Sequence, residues 1–176
     1  MTQYDVTRSV MSSNITLNNG DFLNVSAGGT VNGIVVNSGG DELLFGGVAR
    51  GTVVNSSGGE AVESGGVLTG TQVRGGYEAV FFGGVAINIV ASNGGQIVAF
   101  SNISANQLAA GQYVGSGGVA SGTVLSSGGV QEIFSGPLVT GTVVSSGGAT
   151  VIVLRGLGAT VTGLDTLVAQ GAIRST

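Results

Sequence analysis

The sequence predicts an all-β chain wound as a parallel β-solenoid, right-handed, with about eight coils of 18–19 residues. Three observations predict it. Glycine pairs recur at a near-constant double step, aliphatic residues fall in columns when the copies are aligned, and the composition leaves no room for helices. Glycine accounts for 35 of the 176 residues, several times its usual share of ~7%. Each glycine inside a helix would cost about 1 kcal/mol relative to alanine, so a helical reading fails along the whole chain.

The glycine pairs stand at 28–29, 39–40, 46–47, 58–59, 65–66, 75–76, 83–84, 94–95, 117–118, 128–129 and 147–148. Long and short steps alternate, so every second pair closes one repeat. The copies are 30–47, 48–66, 67–84, 85–102, 103–118, 119–136 and 137–156, with partial copies at 15–29 and from 157 onward. The solenoid therefore spans 15–162, between an N-terminal cap or lead-in at 1–14 and a C-terminal cap or tail at 163–176. Both end segments carry charge (Asp5 and Arg8, Asp165 and Arg174), as an end that covers an open strand edge requires.

Three aliphatic columns predict three inward-facing strands per coil. Three residues before the closing pair stand Val25, Leu43, Val62, Val80, Val98, Val114, Ile133 and Val153, and Val62 and Val98 are expected to point inward one above the other. Directly after that pair come Val48, Val67, Val85, Ile103, Val119 and Leu157, interrupted by Thr30 and Pro137. A middle column holds Leu17, Val36, Val54, Val73, Val90, Leu125 and Val144. Most are β-branched, which suits a pleated surface. Glycine pairs permit positive φ at sharp corners, and Asn37-Ser38, Asn55-Ser56, Ser126-Ser127 and Ser145-Ser146 mark equivalent corners where polar side chains can bond up and down the stack. One coil cannot offset its own ordering entropy, so neighbouring coils must hold each other.

Two places depart from the rule. Copy 103–118 is short and has lost its first glycine pair, which reads as drift, a compressed coil or a partner site. The cluster Tyr77, Phe81, Phe82 contains adjacent aromatics, which face opposite ways in a strand, so one of them is expected outside.

Histidine, cysteine, tryptophan and lysine are absent, and all five basic residues are arginine. No disulfide, cysteine nucleophile, histidine base, Cys/His zinc site or lysine Schiff base can form. The sequence predicts no enzyme, no cofactor and no metal site. Net charge is −4, which argues against nucleic acid as a partner. No apolar run reaches the length of a membrane span, and the N-terminus lacks the n- and h-regions of a classical cleaved signal. Asp41-Glu42, Glu60 and Tyr77-Glu78 follow successive glycine pairs and stack on neighbouring coils, with Arg50 and Arg74 elsewhere on those coils. They read as a solvated acidic face, or as a strip for a cation or sugar. The G-G-x-G-x-D calcium repeat is missing. Thr52, Thr71, Thr123, Thr142 and Thr160 form a threonine column, interrupted at Asn88 and Gln107, and an exposed array of that kind would suit ice binding. Carbohydrate binding, polysaccharide chemistry and ice binding are thus the alternatives to a structural module.

The copies V-A-R-G-T-V-V-N-S-S-G-G-E-A-V-E-S-G-G (48–66) and V-A-S-G-T-V-L-S-S-G-G-V-Q-E-I-F-S-G (119–136) resemble the strand-loop-strand repeat of AIDA-type autotransporter passengers, over about 15–162. The resemblance implies a non-enzymatic adhesive or structural module, extracellular or on the bacterial cell surface. It implies a host or neighbouring cell surface as partner, and a glycosyltransferase that modifies repeat serines or threonines. Ser38, Ser56, Ser64, Ser127, Ser135 and Ser146 are the acceptor candidates. Open strand edges, near-identical coils and few charged gatekeepers predict self-association into a homo-oligomer or fibre.

Overall fold

The chain was analysed as a computed structural model, which describes residues 1–81, 83–93, 96–100, 113–114, 119–126, 130–133, 138–144, 149–152, 160–162 and 172–175. It is an all-β parallel solenoid. Three sheets, of ten, eight and seven strands, run along it, and every strand pair is parallel. From Met11 to Phe100 the chain makes about five turns, each placing one strand in the second sheet, one in the third and one in the first. One such turn is Val48–Arg50, Val53–Asn55 and Gly59–Glu63. Strands from Val119 onward continue the same sheets.

The expected end segments are built from the same material. Gln3–Val6 pairs with Phe22–Val25 in the first sheet and Met11–Ser13 pairs with Thr30–Asn32 in the second. Asp21 ties the start of the chain down, accepting the Thr2 amide at 2.7 Å and the Asn18 amide at 3.1 Å. At the other end Ala172–Ser175 pairs with Ala149–Ile152.

The core is a set of columns, one per inward position. The second sheet contributes Val31, Ala49, Leu68, Ala86 and Ala120, and the third Leu17, Val36, Val54, Val73, Ala91, Leu125 and Val144, all buried. Val25, Leu44, Val62 and Val80 form a column of the first sheet, also buried. Column packing of this kind fills the interior with side chains whose neighbours lie about 4.8 Å above and below.

Several expected positions shift by a residue, and in a strand one residue exchanges inside for outside. Val48, Val67, Val85 and Val119, directly after the glycine pair, face outward and are half-buried; the residue after each of them is the inward one. The second glycine of the pair is the cause. It takes the inner side of the corner, where a Cβ on Gly47 would stand 2.5 Å from the Val25 carbonyl oxygen, and the next residue must step out. Thr30 shares that outward column, whereas Ile103, Pro137 and Leu157 lie outside the described residues. Leu44, not Leu43, stacks on Val25 and Val62, because the corner after Phe45 lacks the residue that Ala27 and Ser64 supply in neighbouring turns. Ala91, not Val90, continues the middle column, and Val90 is exposed.

The expected partnership of Val62 and Val98 also fails by one position: Val98 pairs with Ala79, while Val80, which pairs with Val62, pairs onward with Val114. Ile152 pairs with Ile133 where Val153 was expected. Val85 pairs directly with Val119 and Val90 with Val124, so copy 103–118 adds no rung between them in the second or third sheet. At that level of the first sheet, Gln96 and Ile97 pair with Val130 and Gln131, and Tyr113 and Val114 pair with Glu132 and Ile133. Two separate stretches of chain thus complete one rung.

Candidate functional site

The acidic residues stack as expected but face the opposite way. Glu60 pairs with Glu42 on one side and Glu78 on the other, and all three side chains are buried, at 1%, 0% and 0% exposure. The alternation of the strand dictates this. In Asp41–Phe45 the inward positions are Glu42 and Leu44, and Asp41, Leu43 and Phe45 point out. The same column holds Leu23 in the turn before, and in register Glu78 pairs with Ile97 in the turn after. Neither a solvated acidic face nor a surface strip for a cation or sugar exists at these three positions. Arg50 and Arg74 are exposed on the other two sheets and do not reach them.

Inside, the glutamates meet threonines. The Thr52 hydroxyl donates to Glu42 Oε2 at 3.2 Å. Among the described residues, no further hydrogen bond of ordinary distance and angle reaches the remaining oxygen of Glu42 or either oxygen of Glu60 and Glu78, although the Thr71 and Thr52 hydroxyls lie close to Glu60. Burial pushes all three carboxyls above the ordinary glutamate range. For Glu42 and Glu78 the neighbouring Glu60 adds to that rise, while Thr52 opposes it at Glu42. At Glu60 the hydroxyls of Thr71 and Thr52 pull back against burial. Two ionised carboxylates one rung apart, about 5 Å, repel by roughly 3 kcal/mol at an effective dielectric of 20, so protonation is the inexpensive way to keep them inside.

The threonine column is interior too. Thr52, Thr71, Thr123 and Thr142 are buried, so an ice-binding face cannot be made from them. Each follows a glycine with positive φ (Gly51, Gly70, Gly122 and Gly141). Asn88, at φ 55°, stands in that glycine column, and Ile89 replaces the threonine. Thr160 pairs with Leu138 in the second sheet, not with the residues of that threonine column.

The outer face of the first sheet carries the exposed chemistry. Asp41, Gly59 and Tyr77 stand one above another. Gly59 has no side chain in the way, so the Tyr77 ring lies over it and its hydroxyl donates to Asp41 Oδ1 at 3.0 Å. Burial and the Asp41 carboxylate push the Tyr77 hydroxyl up to about 12. A cleft of about 210 Å³ opens here, lined among others by Phe22, Asp41, Leu43, Gly59, Ala61 and Tyr77. Its one outward acid, Asp41, is already engaged by Tyr77, and the Glu42 and Glu60 that also line it have their side chains buried on the inner side of the sheet. Tyr77 and Phe81 pack on Ala61 and Ala79 on the outer face and remain half-buried, while Phe82 lies outside the described residues.

The corners present ordered amides and hydroxyls. Asn37 Nδ2 donates to Asn18 Oδ1 at 3.0 Å, and Asn55 Nδ2 donates to Asn37 Oδ1 at 2.9 Å, a ladder of the expected kind. Next to it Ser38 and Ser56 are exposed, and Ser64 is exposed at the corner between the first and second sheets. Ser127, Ser135 and Ser146 lie outside the described residues.

No protein-family model and no curated protein matches the sequence. Among solved structures, the chain is similar to the crystal structure of a TibC-catalysed, hyper-glycosylated TibA fragment. Sequence identity is 31% and the TM-score 0.81, over 99% of this chain and 57% of that one. This chain thus spans little more than half of that fragment. Fold and motif agree in one likeness: the repeat of this chain is similar to the strand-loop-strand repeat of the AIDA-type autotransporter passengers.

Proposed function

We propose that the chain is a non-enzymatic segment of a bacterial surface rod, with an adhesive or structural role outside the cell. The observation that carries this reading is the likeness, over 99% of the chain, to a TibA fragment that is itself hyper-glycosylated. On this reading the path is right-handed, the solenoid runs in about eight coils over 15–162, and residues 1–14 and 163–176 cap it. Its partners are a host or neighbouring cell surface, other copies of itself, and a glycosyltransferase.

Glycosylation is the part most directly open to test. Ser38, Ser56 and Ser64 are exposed at turning points of the chain, where an acceptor hydroxyl can enter a transferase without unfolding a strand. Ser127, Ser135 and Ser146 occupy the equivalent sequence positions of later copies. Incubating the chain with TibC and a sugar-nucleotide donor, followed by mass spectrometry of proteolytic peptides, should show sugar-sized increments on peptides holding these serines. Increments should be lost peptide by peptide in Ser38→Ala, Ser56→Ala and Ser64→Ala. An unmodified chain, or sugar only on strand threonines, overturns the acceptor assignment. Light scattering over a concentration series tests self-association, which predicts growth in mass with concentration.

A further inference from the structure

We propose that Glu42, Glu60 and Glu78 form a proton-sharing ladder that makes the middle turns of the rod a pH-sensitive element, held closed when the ladder is protonated and loosened when it ionises. The proposal does not depend on the adhesive reading. Three independent facts of geometry carry it. The residues occupy one inward column on three consecutive rungs. They are fully enclosed. Among the described residues, five of their six carboxyl oxygens find no hydrogen-bond partner outside the stack, the sixth accepting from Thr52.

Among the described residues the surroundings supply no compensating cation. From the opposite corner come the hydroxyls of Thr52 and Thr71, and from the second and third sheets Ala49, Leu68, Val54 and Val73. The outer side of the same three strands carries Asp41, Glu63 and Tyr77. Arg50 and Arg74 lie exposed on the other sheets. Among the described residues the buried charged groups are these three glutamates alone. With at most one carboxylate ionised, a neutral carboxyl on one rung can donate its proton to an oxygen on the next, and the stack satisfies itself. Each further ionisation removes a donor and adds a like charge in an enclosed site, so the protons leave the stack as a coupled set. The ladder ends at Leu23 on one side and Ile97 on the other, which confines the effect to Asp41–Phe45, Gly59–Glu63 and Tyr77–Phe81.

Amide hydrogen exchange on the full chain between pH 5 and pH 9, corrected for intrinsic exchange, tests the idea. Protection in those three strands, relative to Phe22–Ser26, should fall with rising pH, by up to tenfold per pH unit for each proton released on opening. The triple variant Glu42→Gln/Glu60→Gln/Glu78→Gln should show a flat ratio. If it does not fold, Glu60→Gln alone should make the fall shallower. A ratio constant across the range in the native chain, or an undiminished fall in Glu60→Gln, overturns the proposal.

Discussion

The first turn and the middle turns of this rod use carboxylates in opposite ways. Asp21, at the rim of the first turn, accepts two backbone amides, and those bonds hold its carboxyl below the ordinary range. Glu42, Glu60 and Glu78, a few rungs on, sit inside a column that the first turn fills with Leu23, and burial raises all three. The backbone path of the two regions is the same. What differs is where the acid stands: Asp21 lies at the corner before Phe22–Ser26, within reach of two backbone amides, whereas the glutamates lie inside strands at inward positions, and that reverses the sign of the dependence on pH.

The largest effects should come from exchanging the two kinds of column member. Leu23→Ala removes a fully buried side chain and should lower the unfolding free energy by about 2–5 kcal/mol. Glu60→Leu removes a carboxyl that ionises in an enclosed site and at pH 9 should raise it by about 1–3 kcal/mol, with a higher urea midpoint at unchanged slope. A destabilised Glu60→Leu at pH 9 would mean that the ionised glutamate is compensated in a way its surroundings do not reveal.

The pH profile sharpens the contrast. The folded-state pKa values of the three glutamates are raised above the unfolded value of 4.5. Their contribution is therefore fully present below that value and is lost as pH rises above it and through the folded-state values, at up to about 1.4 kcal/mol per pH unit for each proton involved. Asp21 behaves inversely: its folded-state pKa lies below 3.8, so its contribution is present above that value and lost as pH falls. Urea midpoints should decline from pH 5 toward pH 9, and a rising profile would contradict the enclosed column.

Smaller effects belong to the outer surface. Tyr77→Phe deletes one hydrogen bond to Asp41 and should cost about 1 kcal/mol. Asn37→Ala breaks both bonds of a partly exposed ladder and should cost about 1 kcal/mol or less. Asp21→Asn should act least, as faster amide exchange confined to Thr2–Val6 while the middle turns keep their protection.

The period, the strand content and the stacking of like on like were all legible in the sequence, because a repeat of glycine pairs and β-branched residues has few ways to bury its aliphatic face. The register was legible only in part. Val25, Val62 and Val80 were placed correctly, since their corners have equal length. Leu43 and Val90 were not, because counting from a glycine pair passes through corners whose length varies by one residue. The candidate site was read least well. Glu42, Glu60 and Glu78 look like a surface strip when acids are assumed to seek water, and the one available signal was their position next to an outward residue in strict alternation with Leu44, Val62 and Val80.

The sequence by itself therefore determined that this chain would be a stack of parallel rungs, since repetition forces equivalent residues into contact whatever the details of each turn. Only the tertiary structure decided which of two neighbouring residues faces the interior. That choice rests on the length and packing of each corner, where Gly47 must sit against the Val25 carbonyl, and a shift of one residue there exchanges core for solvent along the whole strand.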